Sequence, residues 1–110
     1  MIEKFIAKVP SRIWADGRPA KARQWDAEFN VAAWARISGK PGTVQLLVRY
    51  LDTNNDQAIL VDAAEVNGDG SALLSGLVRL RFNDSVEQVQ VSLRLSDPGM
   101  RYVVEELYMQ

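Results

Sequence analysis

The sequence predicts an all-β protein, a single antiparallel β-sandwich of about seven strands. Two patterns carry this prediction. Turn-forming residues recur along the chain, and the segments between them alternate between apolar and polar side chains. Alternation with a period of two is typical of strands with one buried face. Several short strands separated by turns are typical of a sandwich or a barrel.

The length and composition fit one globular unit. The chain has 110 residues, of which 47% are hydrophobic and 25% are charged. This length is common for one domain, and it is long enough to bury a core without disulfides. We therefore expect residues 1–110 to form a single soluble domain.

The turns are marked by Gly, Pro, Asn, Asp and Ser, which favour or tolerate the backbone angles of a chain reversal. These turn segments lie at 16–19, 39–42, 52–56, 67–70, 83–85 and 97–99. The predicted strands between and beside them span 5–9, 23–38, 44–51, 58–66, 73–82, 87–95 and 102–109.

The segment 23–38 shows the clearest alternation. From Trp25 onward its odd positions are apolar, and its even positions are polar except for Ala32 and Trp34. An alternative is an α+β fold with a helix at 19–38, which Pro19 would begin and Gly39 would end. We favour the strand, because bulky apolar residues at helical spacing would scatter around the axis. A strand of this length is expected to bend, with a bulge within 31–35.

Two later segments, 74–82 and 89–95, alternate in the same way, and the turn at 83–85 predicts that they form a hairpin. One apolar face per strand requires a second sheet to cover it. The strand number fits an immunoglobulin-like or fibronectin-like architecture. The chain has no cysteines, so the prediction stops at the architecture. A small closed β-barrel is the alternative.

Several kinds of chemistry are excluded or disfavoured. The chain has no histidine and no cysteine, so Ser-His-Asp and Cys-His catalysis are excluded. The stretch 52–56 resembles the start of a calcium loop, but Gln57 and Ala63 stand where glycine and a bidentate glutamate are needed. We expect no enzyme activity, no cofactor and no metal site.

The net charge of -1 argues against nucleic acid as the main partner. The first ten residues carry Glu3, Lys4 and Lys8 and therefore lack the apolar core of a signal peptide. The apolar runs are too short to span a membrane. We expect a cytoplasmic protein that does not bind membranes.

The candidate interaction residues lie at polar positions of predicted strands. Trp34 is a large apolar residue in the polar phase, so it either anchors a partner on the sheet surface or returns to the core through a bulge. Arginines at similar positions would form part of a polar ladder across neighbouring strands. The candidates are Trp34, Arg36, Arg79, Arg81 and Arg94. Acidic neighbours such as Glu87 or Glu65, or an acidic partner, would balance them.

If every strand crosses the whole domain, alternate turns share one end. Asp16, Asp52, Asp56 and Asp84 would then gather beside Arg18, as a weak candidate site for a cation or a basic partner. The opposite end would hold Lys40, Asp69 and Asp97.

The adjacent Glu105 and Glu106 are expected on opposite faces of a strand. Either one of them faces inward, or the strand lies at a sheet edge and uses its charge against edge-to-edge pairing.

The sequence leaves the cellular function open. The first hypothesis is a non-catalytic protein-protein interaction or structural module that binds another protein or itself, with a homodimer through an edge strand as one form. The second is a module that binds a small ligand or a carbohydrate.

Overall fold

The structure is a computed structural model that describes residues 2–10, 18–21, 24–52, 55–67, 69–82 and 86–110. These residues contain no helix, and thus no helix that could cross a membrane. All seven predicted strands are present, with one additional short strand. The strands are β1 Ile2–Lys8, β2 Arg18–Lys21, β3 Gln24–Gly39, β4 Gly42–Asp52, β5 Asn55–Val66, β6 Gly70–Phe82, β7 Val86–Leu95 and β8 Met100–Met109.

The strands form two antiparallel sheets. The first sheet has the order β1-β7-β4-β5. The second sheet is built around β3, which pairs with β6 along one edge and with β2 and β8 along the other. The β-sandwich is confirmed. The alternatives of a closed barrel and of a helix at 19–38 are wrong, since pairing divides the strands into two sheets and 24–39 is a strand.

The core lies between the two sheets and takes one face from each central strand. On β3 the odd-numbered side chains from Ala27 to Ile37 are at most 5% exposed. Leu46 of β4, Leu80 of β6 and Leu93 of β7 are fully buried against them. The alternation read from the sequence therefore identifies the buried faces correctly.

The predicted hairpin between 74–82 and 89–95 is wrong. The first segment lies in β6 of the second sheet and the other in β7 of the first sheet. The chain therefore crosses from one sheet to the other between them. Alternation shows which face of a strand is buried, and it does not show which strand is its neighbour. Such crossovers between sheets are found in jelly-roll sandwiches.

The strand missed by the sequence analysis is β2, which lies where a turn was predicted at 16–19. Pro19 is part of β2 and pairs with Trp25 of β3. Proline lacks the N–H that a central strand must donate, so it is tolerated on an edge strand such as β2.

Two sheet edges meet at a bulge in β5. The register of β5 against β4 shifts between Leu46 and Leu47, next to Asp62. The Asp62 carboxylate accepts hydrogen bonds from the backbone N–H of Ala63, at 2.8 Å, and from that of Ser75 in β6, at 3.0 Å. One side chain thus satisfies a free N–H of the β6 edge and ties the two sheets together.

The turn between β3 and β4 depends on Gly39, whose φ is +91°. Its N–H donates to Asp69 Oδ1 at 3.2 Å, and the N–H of Lys40 donates to the carbonyl oxygen of Gly99 at 3.3 Å. A Cβ at Gly39 would collide with that carbonyl oxygen. These contacts, with Asp97 bonded to the N–H of Gly99, confirm that the turns of Lys40, Asp69 and Asp97 share one end.

Replacing Gly39 by alanine is expected to lower the free energy of unfolding by roughly 1–3 kcal/mol, because alanine is strained at this φ and its methyl group has no space. Gly70→Ala is the matched control, since its Cβ would have no atom closer than 4.0 Å. Urea denaturation followed by tryptophan fluorescence measures both variants. Equal stabilities for the two would contradict the role assigned to Gly39.

Candidate interaction face on the second sheet

Trp34 lies on the outer face of the second sheet and is 43% exposed. Its neighbours Ala33 and Ala35 are fully buried, and β3 pairs with β6 without a shift. The alternation of β3 is therefore unbroken. The alternative that returned Trp34 to the core through a bulge in β3 is wrong.

The register shift near Trp34 belongs to the neighbouring strand β8. Trp34 pairs with Glu106 and Ala35 pairs with Val104, so the additional residue is Glu105. This bulge leaves both glutamates exposed. The expectation that they point to opposite faces is wrong, since it assumed a regular strand. The edge position of β8 is confirmed, since β3 is its only partner strand among the described residues.

The outer face of this sheet is organised as rows that cross three strands. From Asn30 to Arg36, each outward residue of β3 has one neighbour on β6 and another on β8 or on Gln110, which directly follows β8. The rows, read in that strand order, are Gln110–Asn30–Leu77, Tyr108–Ala32–Ser75, Glu106–Trp34–Leu73 and Val103–Arg36–Ser71. We call the surface formed by these rows and the adjoining pair of Glu28 and Arg79 the Trp34 face.

Five large apolar side chains of the Trp34 face are exposed to solvent. Their exposure ranges from 43% for Trp34 to 62% for Val103. Sequence reasoning identified only the tryptophan, because Leu73 and Leu77 alternate with buried residues on a strand that was assigned one apolar face. The five residues are Trp34, Leu73, Leu77, Val103 and Tyr108.

Ion pairs stand at the two ends of the Trp34 face. Arg36 Nη2 lies 3.3 Å from Glu105 Oε2, and Arg79 Nη2 lies 2.7 Å from Glu28 Oε1. These side chains are 34% to 67% exposed, so each pair adds roughly 0–1 kcal/mol to stability. The two ion pairs place charged groups at both ends of the Trp34 face, with apolar side chains between them.

The predicted arginine candidates do not share one face. Arg36 and Arg79 lie on the second sheet, whereas Arg94 lies on β7 of the first. Arg81 pairs with Asp26 in the backbone ladder of the second sheet, and its side chain lies outside the described part. The polar ladder is thus divided between the two outer surfaces. The prediction failed because it placed Arg79 and Arg94 on neighbouring strands, whereas their strands β6 and β7 belong to different sheets.

The outer face of the first sheet carries long charged side chains over its centre, while Phe5 on β1 and Leu60 on β5 are each 55% exposed at its edges. Arg49 donates to both oxygens of Glu3, with Nη2 to Oε1 at 2.7 Å. Arg94 Nη2 lies 3.3 Å from the same Oε1. The row between Glu3 and Arg49 contains Ser92 and Leu47, which are both 3% exposed. We infer that the ion pair crosses this row and shields it from water.

Among the described side chains, Glu3 balances both arginines and Asp56 also lies near Arg49, whereas Glu65 pairs with neither. The side chain of Glu87 lies outside the described part.

The predicted cluster of acidic turn residues, Asp16, Asp52, Asp56 and Asp84, lies only partly within the described residues. Asp16 and Asp84 lie outside them, as does the side chain of Asp52, whose backbone pairs with Asn55 to close the β4–β5 hairpin. Asp56 is exposed and its Oδ2 lies 3.6 Å from Arg49, so its charge is partly balanced.

A shallow cleft of about 270 Å³ lies beside Asp56. It is lined by Arg49, Tyr50, Leu51, Asp56 and Gln90. Within the described ranges, no three His, Cys, Asp or Glu side chains lie close enough to hold a metal ion.

The pKa of Glu3 is held below its ordinary value of 4.5, mainly by the hydrogen bonds from Arg49. A carboxyl group whose pKa falls on folding stabilises the protein above its unfolded pKa, and this stabilisation is lost as the pH falls through the folded pKa. Glu3→Gln is therefore expected to lower stability at pH 7 by roughly 0.5–1 kcal/mol. The difference from wild type should shrink as the pH falls below 4.5.

Urea denaturation at a series of pH values measures this effect. Glu65→Gln is the matched control, because the exposed Glu65 on β5 makes no ion pair with the described residues. A pH-independent effect of Glu3→Gln would contradict the assignment.

Comparison with known proteins adds information on the fold. No protein-family model and no curated protein matches the chain. A solved structure, the N-terminal endo-1,4-beta-D-xylanase 10B of Clostridium thermocellum with its CBM22-1 and GH10 modules complexed with xylohexaose, matches with a TM-score of 0.56. The identity is 13%, and the match covers 74% of this chain and 16% of that chain. At this identity the similarity supports the β-sandwich fold alone.

Proposed function

We propose that this protein is a non-catalytic binding module that docks a protein surface onto its Trp34 face. The observation that carries the proposal is the exposure of five large apolar side chains, from three strands, on one side of one sheet. Contiguous apolar surface with a polar rim is typical of protein interaction sites.

The chemistry of the face favours a protein partner over a small polar ligand. Leu73, Leu77 and Val103 are aliphatic and more than half exposed, and such side chains gain most from contact with other apolar groups. Trp34 and Tyr108 add the aromatic area that is enriched at the centre of protein interfaces. The charges of Glu28 with Arg79 and of Arg36 with Glu105 are already paired within the chain, which limits the cost of burying their neighbours. Glu106, in the row of Trp34, is exposed and makes no ion pair with the described residues, so a partner must leave it in water or offer it a hydrogen-bond donor.

The proposal of a non-catalytic role draws on the sequence. The chain contains neither histidine nor cysteine, which are the usual general base and thiol nucleophile. On the Trp34 face, the carboxylates of Glu28 and Glu105 are paired with arginines. These features support binding as the function of the face.

Leu73→Ser is expected to abolish capture of the partner, because it removes apolar contact area from the centre of the face. The matched control is Leu60→Ser on β5, since Leu60 is 55% exposed and Leu73 is 54% exposed. Each purified protein is immobilised and challenged with native lysate, and bound proteins are identified by mass spectrometry. Circular dichroism verifies that both variants are folded.

The expected result is a set of proteins retained by wild type and by Leu60→Ser, and lost with Leu73→Ser. Retention of the same proteins by all three would contradict docking on the Trp34 face.

Carbohydrate binding is the second candidate, and a separate observation favours it. Trp34 and Tyr108 lie on neighbouring strands in adjacent rows, about 7–8 Å apart at the backbone. Exposed aromatic rings at this separation offer flat apolar area to successive sugar rings. The similar sandwich fold occurs in a xylanase with a carbohydrate-binding module, CBM22-1, whose structure contains xylohexaose.

Titration with xylohexaose, followed by tryptophan fluorescence and calorimetry, distinguishes the two candidates. For a sugar site, Trp34→Ala and Tyr108→Ala each weaken binding by about tenfold or more, because each removes a stacking ring. Leu77→Ser should leave sugar affinity unchanged, whereas it should weaken a protein contact. An affinity that survives Trp34→Ala would exclude a sugar site on this face.

A further inference from the structure

We propose that the partner of the Trp34 face is a second copy of this chain, packed face to face about a two-fold axis. This inference rests on the proposed function, since it names the occupant of the same face. The axis lies in the interface, runs across the strands and passes through the row of Ala32. Two-fold contacts of this kind bring the same surface of both copies together.

The rows of the Trp34 face are complementary under this symmetry. Rotation about the axis reverses their order, so the row of Glu28 in one copy lies on the row of Arg36 in the other. The row of Asn30 likewise lies on the row of Trp34. The strands of the two copies then run antiparallel and nearly aligned, as sheets do when they pack face to face.

Charge complementarity is the first argument for a second copy. The register places Glu28 four residues before Ala32 and Arg36 four residues after it on the same strand, so the symmetry brings opposite charges together. Within each chain Glu28 pairs with Arg79, and Arg36 pairs with Glu105. Each end of the dimer would therefore hold four charges of alternating sign.

Apolar complementarity is the second argument. Leu77 lies beside Asn30 and Leu73 lies beside Trp34, so the symmetry places Leu77 of one copy on Leu73 of the other, twice in the dimer. Both leucines are more than half exposed in the single chain. On the axis, Ala32 and Ser75 are small and leave space for the indole rings of both copies, while Tyr108 in the same row lies beside Tyr108 of the other copy.

The sheet edges are less suited to self-association than this face. The edge of β8 carries the bulge at Glu105 and Glu106, and charges and bulges discourage strand addition. The edges of β5 and β6 are tied together through the hydrogen bond from Ser75 to Asp62. The face is therefore preferred to a homodimer through the edge of β5, β6 or β8.

The size of the face sets the expected strength of the dimer. Strand and residue spacings give a flat area of about 300–400 Å² per copy, which is below the roughly 800 Å² per partner of a standard stable interface. We therefore expect a dissociation constant in the micromolar range, with monomer and dimer in exchange.

Sedimentation velocity of the full chain from about 5 to 500 µM spans this range. Wild type is expected to shift from monomer to dimer. Glu28→Arg and Arg36→Glu should each weaken the dimer about tenfold, since each creates two contacts between like charges. Glu65→Arg, on β5 of the other sheet, is the matched control and should dimerise as wild type does.

The decisive sample is an equimolar mixture of Glu28→Arg and Arg36→Glu. In the mixed dimer both contacts again pair opposite charges, so the mixture should regain the affinity of wild type. The double variant with both substitutions should recover as well, and it serves as a second test if a single variant proves unfolded by circular dichroism.

A wild type that stays monomeric over the whole range would overturn the second copy as occupant. The proposed docking function would still be judged by the capture experiment with Leu73→Ser and Leu60→Ser. This geometry would also be overturned if neither charge reversal raised the dissociation constant of the dimer. It would be overturned likewise if the mixture of the two variants bound no more tightly than either variant alone.

Discussion

Burial of the odd-numbered face of β3 is the constraint on which the second sheet depends. Phe29, Val31 and Ile37 are at most 1% exposed, and their side chains occupy the space between the sheets. Since successive side chains of a strand alternate, a slip of one residue would bring the polar face into the core. The register with β6 and the outward position of Trp34 both follow from this burial.

The edges of the sandwich are closed by local irregularities. In β5 a bulge directs Asp62 onto the N–H of Ser75, and in β8 a bulge exposes Glu105 and Glu106 together. In both bulges, the shift in register places a carboxylate where a regular strand would not place one. The edges of β5, β6 and β8 are therefore poorly suited to the addition of another strand.

The two outer faces differ in how they are covered. On the first sheet the ion pair of Arg49 with Glu3 crosses a row that includes Leu47, which remains 3% exposed. On the second sheet the ion pairs stand at the ends of the strands, and Leu73 and Trp34 between them remain open to water. The first sheet exposes large apolar side chains only on its edge strands, at Phe5 and Leu60, within the described residues, whereas the second sheet exposes them on three adjoining strands around Trp34.

The sequence by itself determined the seven main strands and their buried faces, because period-two alternation and turn residues are local signals. It also marked Trp34 as exceptional, as a tryptophan among polar positions. Only the tertiary structure decided which strands are neighbours: it separated 74–82 from 89–95 and divided Arg79 from Arg94. It also assembled Leu73, Val103 and Tyr108 around Trp34, since neighbours on a sheet come from distant parts of the chain. Strand pairing is a non-local choice made by packing the whole core, and no local pattern encodes it.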